Sequence, residues 1–529
     1  MTLIGAGEVS DGATIETDLC IIGAGAAGIT IARELAGSGL SIAMLAGGGE
    51  TFRHVPQRLY HGRNVGRESF APGRSRLRMF GGSTTRWSAQ CRPLDPIDFE
   101  ARPGLPHTGW PFGRDHLEPF YQRAAAVCHL DDWRFEPLSI DLGAGEPPEA
   151  VEPVRYRHGW PTDFAAAYRD ELQSAGNIRL FLDVHAIELV AAGGRVVQVV
   201  ARTEDRRGAR FVAGRYVLAC GGIENARLLL ASTGASLNGL GNEHDLVGRF
   251  FMDHPFYWGG ELVLSRPEYA AALEVLEGYE VAGRCQPTHG AFALTAVARR
   301  DRSLNGAAVF FVRRPAHRMS ANVLSQGGIA LGRLGDVLAR RELPDGRVAH
   351  HLGQLADRPG QAIRMLLERA AAFRSPHTAL AARFTCEALP NPSSRVTLDP
   401  HRHDRFGMPH VAVDWQLAER DRLGPELLRQ ELSRVLAQAG IGRLEFRAEL
   451  ARDGHPVGLE GGKHHMGTTR MHADPRQGVV DGDCRVHRLA NLYVAGSSVF
   501  PTGGYVNPTL TIVALALRLA DLLRAKARA

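Results

Sequence analysis

The sequence predicts an α/β fold, in which a parallel sheet built from discontinuous segments is interleaved with a second domain on an antiparallel sheet. Three observations lead to this prediction. A βαβ pattern begins at Asp18, three apolar strand patterns far apart in the chain each end in glycine, and the composition changes between them. Buried parallel strands carry continuous apolar runs of this kind.

The βαβ pattern spans residues 18–45. Residues 19–22 and 41–45 are apolar strand patterns, and residues 26–36 between them have a helical pattern. The turn before the helix reads G-x-G-x-x-G, from Gly23 to Gly28. Glycines there allow a tight turn and a close approach of the backbone to a pyrophosphate, and the helix N-terminus favours negative charge. We therefore predict a dinucleotide site, and the spacing alone does not distinguish NAD from FAD.

The second strand of such a unit normally ends in an acid that binds the adenosine ribose. Ala46 stands at that position in this sequence. Two explanations remain open: either Glu50 reaches back, or backbone and water hold the ribose.

Two later strand patterns also end in glycine. Residues 215–220 precede Gly221 and a predicted helix over residues 225–231, and residues 491–495 precede Gly496. Between the strands, residues 96–175 are rich in Pro, Trp and Asp, and residues 250–450 mix strand-like runs with a predicted helix near residues 361–372. This change predicts a second domain inserted into the first.

Composition excludes several classes of protein. The chain has 529 residues, 44% of them hydrophobic, which is enough for a large core and excludes a disordered or fibrous chain. Its 62 basic and 57 acidic residues leave a charge of +5, too weak to indicate nucleic acid or an anionic membrane as a partner. The seven cysteines are scattered without a C-x-x-C pair, which argues against a disulfide framework or a zinc ribbon.

The sequence predicts a cytoplasmic protein without a transmembrane segment. The first residues contain acids and no apolar h-region. The most apolar stretch, residues 509–517, is far shorter than the roughly 20 residues that a membrane span requires.

The C-terminal part carries the candidate chemistry. His464 and His465 precede Gly467 in GGKHHMGTTRM, and Asn507 and Pro508 begin an apolar helix. Asn suits an N-cap, Pro suits the first turn, and a helix N-terminus also stabilises negative charge. A histidine here is either an ordinary loop residue or, in a cleft, a candidate base. Adjacent histidines diverge and no carboxylate or thiolate spacing accompanies them, so no metal site is predicted.

The motifs taken together resemble the glucose-methanol-choline (GMC) oxidoreductases. They are the loop of residues 23–28, GGST at 81–84, CGGIENARLLL at 220–230, PNPSSRVTLD at 390–399, HHMGTTRM and GSSVFPTGGYVNPTLT. They are spread over residues 21–521. Within the family, the sequence is similar to the bacterial branch of gluconate-dehydrogenase-like large subunits, pyranose oxidases and dehydrogenases of aminoglycoside biosynthesis.

The resemblance implies an FAD-binding Rossmann-like domain made of residues 1–95, 176–250 and 451–529. Residues 96–175 and 251–450 would form the substrate-binding domain. His464 corresponds to the catalytic histidine of the family, and Asn507 to the His-or-Asn partner that holds the substrate oxygen. The expected cofactor contacts are Gly23, Ala24, Gly25, Ala26, Ala27, Gly28, Gly81, Gly82, Ser83, Thr84, Trp87, Ser88, Ala89, Ala186, Cys220, Gly221, Gly496, Ser497, Asn507, Pro508 and Thr509.

The FAD is expected to be non-covalent. In some sugar oxidases of the family, a histidine just before the tryptophan bonds to FAD. Here Arg86 precedes Trp87.

The expected reaction is the oxidation of an alcohol to a carbonyl. His464, with a reference pKa of about 6.5, would be neutral near pH 7 and accept the hydroxyl proton while hydride passes to flavin N5. Asn507 would donate a hydrogen bond to the developing alkoxide, and His465 would be a neighbour. The family branch favours a sugar, glycoside or amino sugar, for example the primary CH2OH of an aminoglycoside intermediate, with O2 or an unidentified carrier as electron acceptor. A polycationic aminoglycoside would require carboxylates at the pocket mouth.

Three alternatives remain open at the level of sequence. The chain could be the large subunit of a polyol or gluconate-type dehydrogenase that passes electrons to a partner. It could be a non-redox lyase on the same fold. It could also be a nicotinamide-dependent dehydrogenase that uses the loop of residues 23–28.

Overall fold

The computed structural model describes residues 2–67, 70–130, 132–136, 149–159, 163–274, 276–281, 284–313, 379–446, 450–451, 453–456 and 459–528. The helix predicted near residues 361–372 lies outside the described residues. Within the described ranges, every helix is too short or too polar to cross a membrane.

The described strands form three sheets. In chain order they are β1 (Thr2–Ile4), β2 (Ala13–Ile22), β3 (Ile42–Ala46), β4 (Gly62–Asn64), β5 (Gln90–Cys91), β6 (Val151–His158), β7 (Ile178–Leu182), β8 (Val184–Ala192), β9 (Arg195–Thr203), β10 (Gly208–Leu218), β11 (Pro255–Leu264), β12 (Leu276–Val281), β13 (Arg284–Leu294), β14 (Ala307–Arg313), β15 (Ala379–Cys386), β16 (Arg395–His403), β17 (Pro409–Asp414), β18 (Gly442–Phe446), β19 (Glu460–Gly461) and β20 (Leu492–Val494).

The described helices lie between these strands or follow them. They are α1 (Ala26–Glu34), α2 (His54–Gln57), α3 (Arg114–Val127), α4 (Phe164–Ser174), α5 (Gly221–Ala231), α6 (Tyr269–Glu274), α7 (Ala296–Asp301), α8 (Leu423–Gln438) and α9 (Thr509–Arg528). Short 3-10 helices occupy Ala6–Glu8, Arg58–Tyr60, Pro72–Arg74, Gly82–Thr85, Pro96–Phe99, Glu419–Arg422 and Ser497–Val499.

The first sheet has eight strands in the order β1-β7-β3-β2-β10-β9-β8, with β20 beside β10. All pairs are parallel except β10–β9 and β9–β8. Leu19 pairs with both Ile42 and Arg215, and Tyr216 pairs with Leu492, so β2, β3, β10 and β20 are neighbours. The predicted parallel sheet of discontinuous segments is therefore confirmed.

Two predicted helix ends differ from the structure. α1 ends at Glu34 rather than residue 36, because the chain turns at Gly37, where φ is +67°. α5 begins at Gly221 rather than residue 225, because the side chain of Asn225 turns back and accepts a hydrogen bond from the amide of Cys220 at 2.8 Å.

The second sheet has nine strands in the order β18-β11-β15-β14-β13-β6-β5, with β12 beside β13 and β19 beside β11. Every pair is antiparallel, which confirms the predicted antiparallel sheet. One face packs on α8, where Tyr257 and Phe384 share a core with Leu428 and Leu432. On the other face, the hydroxyl of Thr385 donates to the carbonyl of Tyr505 at 3.3 Å. The second face is thus turned towards the segment that precedes α9.

A third, three-stranded sheet has the order β16-β17-β4. The runs RVTLD and HVAVDW do form strands here, and they pair with each other and with β4 rather than with the nine-stranded sheet. β4 comes from residues 62–64, so this small sheet ties the N-terminal part of the chain to residues 395–414.

A buried cluster of charges connects the antiparallel sheet to the segment before α9. Glu387, just after β15, accepts hydrogen bonds from Arg102 at 2.6 and 2.9 Å and from the amide of Gly306 at 2.8 Å. Arg299 contacts both Asp98 and Glu387. Burial opposes the ionisation of Glu387, but Arg102, Arg299 and the amide of Gly306 together outweigh it and lower the pKa of Glu387 to about 2.

Removing one member of this cluster is expected to destabilise the protein strongly. Glu387→Leu leaves Arg102 without its carboxylate, and breaking a buried ion pair from one side costs about 3–5 kcal/mol. We expect the free energy of unfolding to fall by that amount in urea titrations at saturating FAD. Glu100→Gln removes the exposed pair with Arg300 and should leave the transition unchanged. Equal losses in the two variants would contradict this prediction.

Candidate active site

The glycine-rich loop lies at the carboxyl end of β2, where the parallel sheet meets α1. Gly23 has φ of +113°, and a Cβ there would lie 2.4 Å from the carbonyl oxygen of Ala219. A Cβ at Gly28 would lie 1.9 Å from the carbonyl oxygen of Gly23. These two glycines are thus required by the packing of the loop on β10 and on α1.

Gly25 is different, because a Cβ there would meet no atom within 4 Å. The same holds for Gly221, which follows β10, and for Gly496, which follows β20 and is itself buried. β2, β10 and β20 are neighbours, so the three glycines lie at the same edge of the sheet. Ligands of open α/β sheets bind at this edge. Space without protein atoms beside partly or fully buried glycines fits a dinucleotide such as FAD.

A second predicted cofactor segment, residues 81–84, lies against this loop. The amide of Gly81 donates to the carbonyl of Ala24 at 2.8 Å, and a Cβ at Gly82 would lie 3.3 Å from the Cα of Gly25. Ser83 and Thr84 belong to the 3-10 helix Gly82–Thr85. Trp87 packs edge-on against Phe164, with ring centroids 5.9 Å apart. The sheet and its surroundings thus bring residues 23–28 and 81–84 together.

The segment after β20 is anchored to α5 and to the histidine motif. Asn225 donates to the hydroxyl of Ser498 at 2.9 Å, and Cys220 donates through Sγ to the carbonyl of Ile22 at 3.0 Å. Ser497 donates to the carbonyl of His465 at 2.7 Å. These bonds place the ends of β2, β10 and β20 beside the histidine motif.

The turn after β3 lacks an acid, and Arg78 contacts it instead. Nε of Arg78 donates to the carbonyl of Gly47 at 3.0 Å, and one of its terminal nitrogens lies 3.3 Å from Nδ1 of His185. His185 precedes Ala186 in β8. Glu50 forms an ion pair with Arg169 of α4. The carboxylate of Glu50 thus has a partner in α4. Both explanations of the ribose contact, through Glu50 or through backbone and water, stay predictions.

His464 lies opposite His254 in a short ladder between two loops. The amides and carbonyls of Met252 and Met466 exchange hydrogen bonds at 2.9 and 3.0 Å, and the amide of Gly462 donates to the carbonyl of His254 at 2.9 Å. The two imidazole rings are 5.0 Å apart, and their Nδ1 atoms are separated by 2.8 Å. His254 is fully buried, whereas His464 is partly exposed.

The partners of His254 determine which nitrogen of His464 carries a proton. Nε2 of His254 lies 2.9 Å from the carbonyl oxygen of Gly504, and a carbonyl can only accept, so this nitrogen is protonated. In a neutral imidazole the other nitrogen is then an acceptor, and Nδ1 of His254 accepts from Nδ1 of His464. Nε2 of His464 is therefore the nitrogen with a free lone pair.

Both histidines are neutral near pH 7. Desolvation lowers the pKa of His254 to about 4, although the carbonyls of Gly503 and Gly504 oppose this. Desolvation, followed by repulsion from His254, His465 and Arg383, holds the pKa of His464 well below its usual value. A base with a lowered pKa becomes protonated only when the pH falls through that pKa, so Nε2 of His464 remains a base at neutral pH.

Asp253 fixes the backbone that carries His464. Its carboxylate accepts from the amide of Lys463 at 3.1 Å and from the amide of His464 at 2.7 Å. Lys463 has φ of 63°, in the left-handed region. A Cβ at Gly462 would lie 2.2 Å from the ring of Phe256 and 3.0 Å from Nδ1 of His464. Desolvation raises the pKa of Asp253 to about 7, although the hydrogen bonds from the backbone amides lower it in part.

Asn507 lies at the start of the final helix. It precedes Pro508, and α9 begins at Thr509. Asn507 is partly exposed, and its side chain makes no hydrogen bond to any described residue. It follows Gly504, the residue that contacts His254, by three positions. An amide with free donors at a helix N-terminus can bind an oxygen that carries negative charge.

Sequence reasoning missed His254 and Asp253. Their only signal in the sequence is a polar dipeptide inside the apolar run of residues 250–258. Such an interruption of a core segment indicates polar groups with a buried role. The signal does not indicate which partner the residues have, because His464 is 210 positions away.

Comparison with known families identifies two regions. A family model described as GMC oxidoreductase matches residues 390–516, which include the histidine motif and Asn507. A model described as FAD dependent oxidoreductase matches residues 18–240, which include the glycine-rich loop.

Individual relatives match nearly the whole chain. The chain is 24% identical to the fructose dehydrogenase large subunit of Gluconobacter japonicus, over 96% of this chain and 98% of the relative. It is 26% identical to the 6'''-hydroxyparomomycin C oxidase of Streptomyces lividus, over 95% of this chain and 90% of the relative. The solved structure of pyridoxine 4-oxidase from Mesorbium loti matches with a TM-score of 0.58 at 16% identity, over 96% of this chain and 98% of that one. This last likeness shows the fold alone.

Filling the space beside Gly25 is expected to exclude FAD without disturbing the fold. Gly25→Val adds a side chain where the protein has no atom within 4 Å of a Cβ. We expect the purified variant to unfold like the wild-type apoprotein and to lose most of its FAD, measured as the ratio of flavin to protein absorbance. Gly176→Val is the control, since Gly176 also has free space but is exposed on the surface. Full FAD occupancy in Gly25→Val would contradict the prediction.

Proposed function

Since the chain belongs to the GMC oxidoreductase family and is an FAD-dependent oxidoreductase, we propose that it oxidises the alcohol of a carbohydrate-like polyol to a carbonyl, with His464 as base. The observation that carries this proposal is the hydrogen-bonded chain from the Gly504 carbonyl through His254 to His464. It leaves Nε2 of His464 unprotonated on a partly exposed ring.

His464 accepts the proton of the substrate hydroxyl at Nε2. Proton removal from a bound alcohol raises the electron density on its oxygen and makes the carbinol hydrogen a better hydride donor. The flavin, when bound, supplies the acceptor for that hydride at N5. Nδ1 of His464 keeps its hydrogen bond to His254 throughout, so the ring does not reorient when Nε2 becomes protonated.

Asn507 donates a hydrogen bond to the same substrate oxygen. Its side chain makes no hydrogen bond to the described residues, and the N-terminus of α9 adds a favourable dipole. His465 has no role in the proposed proton transfer. Its backbone carbonyl accepts a hydrogen bond from Ser497, and the centroid of its ring lies 5.8 Å from that of Phe251. Burial lowers the pKa of His465 to about 3.

We propose that the FAD lies along the carboxyl ends of β2, β10 and β20 in the parallel sheet. Gly25, Gly221 and Gly496 leave room there, and the N-terminus of α1 favours a pyrophosphate. We propose that FAD is held non-covalently, because Arg86 stands where a covalent link would need a histidine. The division into an FAD-binding domain and a substrate-binding domain of residues 96–175 and 251–450 stays a proposal.

A sugar, glycoside or amino sugar is the proposed class of substrate, on the strength of the relatives' names. These names include both oxidases and a dehydrogenase large subunit, which supports O2 and a protein carrier as alternative electron acceptors. Oxygen consumption and dye reduction measured side by side distinguish the two. A role in antibiotic biosynthesis and a cytoplasmic location stay predictions.

Loss of the proposed base should slow the reductive half-reaction. In anaerobic stopped-flow experiments with a polyol substrate, we expect His464→Ala to lower the rate of flavin bleaching by about 100-fold or more, the usual contribution of a general base. His244→Ala is the control, because His244 is exposed. A half-reaction of His464→Ala at the wild-type rate would exclude His464 as the base. A product formed without flavin bleaching would instead indicate a lyase.

A further inference from the structure

Arg383 and His464 both contact the aromatic ring of Phe256. Its guanidinium lies over the ring of Phe256, 4.7 Å from the centroid, and the same ring is 5.9 Å from the imidazole of His464. Phe256 pairs with Thr385 in neighbouring strands, so Phe256 and Arg383 are diagonal neighbours on one face of the antiparallel sheet. Thr385 contacts the backbone of Tyr505, so this is the face turned towards the segment before α9.

The guanidinium of Arg383 has no anionic partner in the described part of the chain. It is only partly exposed, and burial lowers its pKa, with Glu460 opposing. Three fully buried arginines are paired with carboxylates: Arg102 with Glu387, Arg299 with Asp98, and Arg227 with Asp404. Arg470 is also buried and instead donates to the carbonyl of His107 at 2.8 Å. A largely desolvated charge without a partner is costly unless a ligand completes it.

A second cation lies beside the same histidine. Lys463 is one of only two lysines in the chain, and its ammonium lies 4.1 Å from the ring centroid of Phe70. Desolvation and repulsion from Arg86 lower the pKa of Lys463, while Glu460 and Asp253 raise it. No ion pair joins this ammonium to a carboxylate among the residues that the structure describes.

The carboxylates near these cations act on them electrostatically but form no ion pair with them in the described ranges. Asp253 is fully buried and accepts hydrogen bonds from the backbone of residues 463 and 464. Glu460 is exposed and makes no ion pair with Arg383 or Lys463 in the described ranges. Near His464, Arg383 and Lys463 therefore remain without an ion-pair partner among the described residues, an arrangement that disfavours a polycationic substrate.

We propose that Arg383 and Lys463 bind an anionic group of the substrate, a carboxylate or a phosphate, and that the enzyme acts on an anionic polyol in preference to an amino sugar. This inference rests on the proposed function, because the anionic group would lie beside the alcohol that His464 deprotonates. The planar fork of a guanidinium matches carboxylate and phosphate oxygens, and the ammonium of Lys463, the residue before His464, adds a point charge. Within the proposed class of carbohydrate-like polyols, the inference favours a sugar acid or sugar phosphate over neutral sugars and amino sugars.

The test compares compounds that differ only in one charged group. D-glucose, D-glucuronate, D-glucose 6-phosphate and D-glucosamine form one set, and glycerol, glycerate, glycerol 3-phosphate and 3-amino-1,2-propanediol form another. For each compound, isothermal titration calorimetry on the oxidised, anaerobic holoenzyme at low temperature gives binding, and stopped-flow spectroscopy gives the rate of flavin reduction. The carboxylate and phosphate members distinguish the two sources of negative charge.

We expect an anionic member to bind more tightly than its neutral and cationic counterparts, and less tightly as salt concentration rises. Arg383→Gln should weaken that binding by about 10- to 100-fold, the range for a lost hydrogen bond to a charged group, without changing the binding of the neutral compound. Arg383→Lys should restore part of the preference, and Lys463→Met should reduce it. Arg443→Gln, an exposed arginine of β18 paired with Glu445, is the control.

The outcomes separate the inference from the proposed function. Anionic compounds that bind no more tightly than neutral ones, or an Arg383→Gln variant that loses both equally, would overturn the inference even if neutral polyols reduce the flavin. Anionic compounds that bind through Arg383 without reducing the flavin would support the inference and contradict the proposed oxidation. If Arg383→Gln does not fold, Arg383→Lys and Lys463→Met test the inference instead. An unchanged preference for the anionic compound in both variants would overturn it.

Discussion

The hydrogen bond between Nδ1 of His254 and Nδ1 of His464 is the interaction on which the chemistry of this site depends. Two like nitrogens can share a hydrogen bond only if one is protonated and the other is not, and the carbonyl of Gly504 decides which. A backbone oxygen has no proton to donate, so the choice does not vary with pH in the neutral range. The proposed base is therefore oriented by hydrogen bonding, and among the described residues its ring forms no ion pair with a carboxylate.

Three distant segments must be held together for this bond to form. Asp253 holds the turn at Lys463 and His464, and the ladder between residues 252–256 and 460–466 sets the separation of the two rings. Gly504 packs closely on the buried charge cluster, since a Cβ at this position would lie 2.6 Å from the carboxylate of Asp98, a member of that cluster. The cluster at the end of β15 thus supports the carbonyl that orients His254. Stability and reactivity share these residues, and the interleaving of the two sheets is what brings them together.

The sequence was sufficient for the elements whose signal is local. The strand, glycine turn and helix of residues 19–34 and the glycines after β10 and β20 follow from apolar runs and backbone geometry, and the motifs near His464 follow from family resemblance. His254 and Arg383 could not be predicted, because their roles come from partners about 210 positions away along the chain or across a strand pair whose register no local pattern reveals. The ends of α1 and α5 differed because single residues, Gly37 and Asn225, outweigh periodicity at helix termini. The sequence likewise could not reveal that the positive charge of Arg383 lies near His464, since Arg383 is one arginine among many.

The position of one proton tests this account most directly. Neutron crystallography of the oxidised, deuterium-exchanged holoenzyme near neutral pH would locate the deuterium atoms on His254 and His464. The account predicts deuterium on Nε2 of His254 and on Nδ1 of His464, with none on Nε2 of His464. Deuterium on Nε2 of His464, or on both nitrogens of that ring, would contradict the central claim that His464 is held as a neutral base with its free lone pair at Nε2.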